Sequence, residues 1–189
     1  MLAVAALALT TVSCTKDTEP APTQTDLLTT GAWRVTAWTV NPPLPPPRDT
    51  VGTRPRITDY YAAIANSGGN CELDDVFKFN RNGTYTQEEG TTKCSPADDQ
   101  VFATGRWTLS AETNVTPNVT SLVLDDNNLV VPIYNALRFN AGSGAPTVYN
   151  VTQFDATTLR WTYTEARRLN RTAPPVLYTF TQTYTNQTR

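Results

Sequence analysis

The chain reads as an all-β protein, a single antiparallel up-and-down β-barrel of about eight or nine short strands with a short helix in its first long loop. Three observations lead there. Aromatic residues make up 10% of the chain and threonine recurs throughout, a mixture that suits half-buried strands better than helices. Short segments of alternating apolar and polar residues follow one another, each bounded by Gly, Pro, Asn or Asp. Their connections are local, which fits a barrel or a sandwich. Closure removes exposed strand edges and so favours the barrel.

Residues 1–13 read as a secretory signal, because Leu2 to Leu9 is unbroken apolar yet too short to span a bilayer as a mature helix. Val12-Ser13-Cys14 then resembles the lipobox of bacterial lipoproteins, in which small residues precede a cysteine that becomes acylated. That resemblance makes Cys14 the lipidation site and implies membrane attachment through it. With Thr15 rather than Asp after the cysteine, it implies an outer-membrane lipoprotein of the cell envelope, periplasmic or surface-exposed. Residues 14–26 form a polar, Pro-containing tether with nothing to bury, and residues 27–189 form the folded domain.

The first strand is Gly31 to Val40, ended by a Pro-dense loop from Asn41 to Pro47 that cannot donate ladder hydrogen bonds. Ile57 to Ala65 has helical spacing, and Ser67-Gly68-Gly69 breaks it. Asp75 to Phe79 alternates, Asn80-Arg81-Asn82-Gly83 turns, and Thr84 to Gln87 returns, a strong hairpin signal. Further strands are Val101–Leu109, Thr120–Leu124, Leu129–Phe139 (interrupted by Pro132) and Val148–Phe154. Thr158–Thr164 and Val176–Thr185 complete the series, the latter carrying Tyr178, Phe180, Gln182 and Tyr184 on one face.

Composition excludes much chemistry. With no histidine, the commonest general base, the His-dependent nucleophile arrangements and most zinc sites are gone, and no enzyme activity is expected. A net charge of −2 with scattered basic residues argues against a nucleic-acid surface. Arg167, Arg168 and Arg171 read as a polar connection. The pairs Asp74-Asp75, Asp98-Asp99 and Asp125-Asp126 read as turn residues rather than calcium ligands, so neither metal nor cofactor is expected. Of three cysteines, lipidation of Cys14 leaves Cys71 and Cys94 as a pair that forms a disulfide in an oxidising compartment.

The ordered set Gly31-Ala32-Trp33, Cys71 to Tyr85, Glu89-Gly90, Lys93-Cys94, Gly105-Arg106-Trp107-Thr108-Leu109, Tyr149-Asn150-Val151-Thr152 and Thr157-Thr158-Leu159 resembles the lipocalin-like domain of small bacterial lipoproteins. The resemblance covers most of residues 26–185. It implies a barrel open at one end that binds a small hydrophobic or amphiphilic molecule.

Alternation places Trp33, Val35, Phe77, Phe79, Trp107, Leu109, Val151 and Leu159 on the inner face, with Trp33, Phe77, Phe79 and Trp107 as core. Tyr85, Tyr149, Trp161, Tyr163, Tyr178 and Phe180 are the candidate cavity lining. Two functions stand. One is a lipid-tethered binder of a small ligand. The other is a structural or interaction protein whose barrel is filled by its own side chains and whose loops contact an envelope partner; a monomer is expected in either case.

Overall fold

The computed structural model describes residues 22–45, 55–111, 120–125, 147–168 and 174–187. In chain order the elements are α1 (Gln24–Thr29), β1 (Ala32–Leu44), β2 (Ile57–Asp59), α2 (Tyr60–Ala65), α3 (Asn70–Leu73), β3 (Val76–Phe79) and β4 (Thr84–Glu88). Then come β5 (Val101–Ala111), β6 (Thr120–Asp125), β7 (Thr147–Phe154), β8 (Thr158–Arg167) and β9 (Val176–Asn186). The sheet closes where β1 pairs with β9, and in β9 Tyr178, Phe180, Gln182 and Tyr184 all point inward and are buried. Each strand from β3 to β9 pairs antiparallel with the next, and β1 pairs with both β3 and β9. The barrel thus contains β1 and β3 to β9, with β2 added beside the end of β1.

Antiparallel order sorts the connections into two ends. The β3–β4 turn, the β7–β8 turn and α1 lie at the floor, while the C-terminal ends of β1, β4 and β8 lie at the mouth. The floor is tied shut. A capping box between Thr23 and Asp26 starts α1, its Leu28 is fully buried, and the Trp33 indole donates to the Leu28 carbonyl at 2.9 Å. Arg81 from the β3–β4 turn pairs with Asp26, and the Trp107 indole donates to the Asn80 carbonyl at 3.0 Å. Above them Phe77 makes ring contacts with Phe79, Tyr85, Trp161 and Tyr184. This half of the barrel is packed with aromatic rings.

Several boundaries differ from the sequence expectation. β1 continues past Val40 to Leu44, through a cis Asn41–Pro42 bond. Pro42 and Pro43 sit in the irregular stretch between the paired residues Thr39 and Leu44, where no ladder donor is required of them. Ile57 to Asp59 is strand rather than helix, with Asp59 as N-cap of α2, accepting from the Ala62 N–H at 2.9 Å. α1 begins at Gln24, inside the stretch read as tether. β8 runs three residues beyond Thr164, to Arg167. The expected strand Leu129–Phe139 lies outside the described residues, as do the signal segment and Cys14. Cys71 and Cys94 form a disulfide, with Cα atoms 5.1 Å apart, joining α3 to the β4–β5 connection.

Candidate ligand-binding site

Strand β8 supplies the axis of the site. Its inward residues run Leu159, Trp161, Tyr163, Glu165 and Arg167 from floor to mouth, facing Tyr184, Gln182, Phe180, Tyr178 and Val176 of β9. Tyr163 stacks on Phe180 with centroids 5.0 Å apart, and Tyr149 of β7 meets Trp161 at 4.9 Å and Tyr163 at 5.5 Å. From the other wall, Trp38 of β1 packs edge-on to Tyr60 of α2 at 4.6 Å, and Tyr60 reaches Phe180 at 6.4 Å. α2 is held close by Gly69, where a Cβ atom would lie 2.6 Å from Ile64 Cγ2. A side chain there would displace the helix that carries Tyr60.

At the mouth the lining turns polar. Arg167 has only 9% of its side chain exposed, pairs with Glu165 at 2.7 Å, and lies over the Phe180 ring at 4.5 Å. Burial pushes the Tyr163 phenol far above its ordinary pKa. Glu165 adds to that shift and Arg167 offsets it. On the opposite wall Gln87, the last inward residue of β4, is 1% exposed.

A second group of charges lies where the disulfide joins α3 to the barrel. Burial, and then the neighbouring Glu89, push the Asp75 carboxyl up to about 7, while the Gly90 N–H works against the shift. Glu72 and Glu89 are raised as well, burial being the main cause in both. Asp74 accepts from the Thr91 hydroxyl and the Thr92 N–H, and Asp98 accepts from the Ser95 N–H, as turn residues do. Among the described residues no group of three or more His, Cys, Asp or Glu is arranged to hold a metal.

The candidate lining is brought together in part. Tyr149, Trp161, Tyr163 and Phe180 form one cluster, and Tyr178 is buried on β9 opposite Glu165. Tyr85 stands apart, against Phe77 and Phe79. Sequence reasoning missed Trp38 because a register shift between Val35 and Ala37 breaks the alternation and turns residue 38 inward. It also read Arg167 as part of a polar connection. The guanidinium instead ends an inward-facing row, made tolerable there by Glu165. Tyr60 was legible only as part of a helical pattern, with no signal that the helix abuts the barrel.

No curated protein and no solved structure gives a significant match. The family profile described as a lipocalin-like domain matches residues 29–161, from the last residue of α1 to the inward Trp161. That span exceeds half of the 189 residues and includes the hairpin of β3 and β4, the β7–β8 turn and the disulfide. The chain therefore belongs to the lipocalin-like domain family.

Proposed function

We propose that the protein is a lipid-anchored binding protein of the cell envelope that holds a small amphiphilic molecule in the mouth half of its barrel. The observation that carries this reading is the gradient along the inner face of β8, from Leu159 and Trp161 through Tyr163 to Glu165 and Arg167. Apolar walls leading to a few fixed polar groups at an opening suit a guest with a greasy body and a polar head. The aromatic floor closes the far end, so the guest enters and leaves at the mouth, beside α2 and the end of β8.

Anchoring rests on Val12-Ser13-Cys14. Labelled palmitate is expected to enter the wild-type protein and not Cys14→Ala, and labelling that survives the substitution overturns the assignment. The binding reading is tested by native mass spectrometry of the domain purified from its own host. A discrete co-purifying small molecule is expected, and its occupancy should fall in Tyr163→Ala. Repeated isolation without any guest would turn the reading to a structural protein that works through its loops.

A further inference from the structure

The inner wall of β4 carries a polar group that the barrel itself does not use. Gln87 is almost completely buried, and its Oε1 has no hydrogen-bond partner among the described residues. Its neighbours across the sheet are Phe77 on β3 and Ala103 on β5, neither of which has a side-chain donor to offer. A buried carbonyl without a donor opposes folding, and in native proteins such a group calls for a specific explanation. The position is telling. Gln87 is the last inward residue before the mouth, and the residue facing it on β5 is as small as alanine. Beyond it, Asp75 and Glu89 flank the paired residues Val76 and Glu88 and place carboxylates at the same corner of the rim. Across the mouth, Arg167 is already matched by Glu165.

Resting on the binding reading above, we propose that Gln87 is the recognition residue for the polar head of the guest, and that this head is an uncharged hydrogen-bond donor, a hydroxyl or an amide N–H. A donor completes the acceptor that Gln87 leaves open in the wall. An anionic head brings no donor to that carbonyl and meets carboxylates beside it, so negatively charged amphiphiles are disfavoured. A site built to pair a donor discriminates strongly against the analogue lacking it, because the buried acceptor is then left unpaired.

The test uses displacement of N-phenyl-1-naphthylamine from the disulfide-bonded protein by three probes of one chain length: 1-dodecanol, dodecyl methyl ether and laurate. 1-Dodecanol is expected to bind about tenfold more tightly than the ether, with laurate weaker than the alcohol. In Gln87→Leu, which replaces a buried amide by an apolar side chain of similar size and should fold, the alcohol is expected to fall to the level of the ether while the ether is unchanged. Equal affinities in the wild-type protein assign the carbonyl to a resident water and overturn the proposal. A preference that persists in Gln87→Leu, or tightest binding by laurate, overturns it as well. If neither the reporter nor any probe binds, the binding reading itself falls.

Discussion

The Trp161 indole donates its N–H to Gln182 Oε1 at 2.6 Å inside the barrel, between residues that are direct partners in the β8–β9 register. Both side chains are buried, so the bond forms in a low-dielectric interior where its loss leaves a donor unpaired. Gln182→Leu is expected to lower stability by roughly 1–3 kcal/mol. Urea unfolding should show a reduced midpoint with an unchanged slope.

Floor and mouth are expected to respond differently to truncation. Phe77 joins four rings in the packed half, and Phe77→Ala should cost about 3–5 kcal/mol of stability. Tyr163 is half-buried near the opening, so Tyr163→Ala should cost less stability and weaken reporter binding about fivefold, since an aromatic contact is worth about 1 kcal/mol beyond its area. Denaturant titration and fluorescence displacement on the same two variants separate these effects. A Tyr163→Ala variant that binds the reporter as tightly as the wild type would relocate the site.

Opening the Cys71–Cys94 bridge removes a constraint on the unfolded chain rather than a strand pairing. The pair Cys71→Ser and Cys94→Ser is expected to lower stability by about 3 kcal/mol by the chain-entropy estimate. The far-ultraviolet spectrum should remain that of a β-sheet. Thermal unfolding with and without dithiothreitol checks the same point in the native protein, and coincident curves would contradict it.

Asp75 sets the direction of the pH response. Its carboxyl titrates at about 7 in the folded state, above its unfolded value, so the native state holds that proton more tightly. The resulting stability is fully present below about pH 4 and is lost as pH rises through about 7. Glu72 and Glu89, also raised, act in the same sense. Asp155 acts oppositely: hydrogen bonds from the Thr157 N–H and hydroxyl lower it to about 2, so its contribution is lost only in stronger acid. Urea midpoints are therefore expected to fall between about pH 4.5 and 7.5 and then level off. Asp75→Asn should flatten that decline, and an unchanged slope in the variant would rule out Asp75 as its source.

Much of the fold was legible because it depends on period-two alternation and turn chemistry. The hairpin at Asn80 to Gly83 closes as its residues dictate, with Gly83 at φ 81 and its N–H bonded to the Asn80 carbonyl. Elements governed by tertiary contacts were harder to read. α1 has six residues, too few for a periodic signal, and only the Thr23–Asp26 capping box announces it. The polar end of β8 looked like a loop because alternation says nothing about a buried charge that finds its partner two residues away. The candidate site was readable where aromatics alternate and unreadable at Trp38, where one extra residue in β1 reverses which face is inside.

The first helix seals the barrel at the end where the chain enters it, opposite the opening. With the acyl group proposed at Cys14, the leash to Thr23 reaches no farther than about 35 Å and is fastened to the blind side of the vessel. An anchor at Cys14 would thus be tied to the side opposite the lip. Under that proposal the tie to the bilayer leaves the lip free to exchange cargo with the aqueous space.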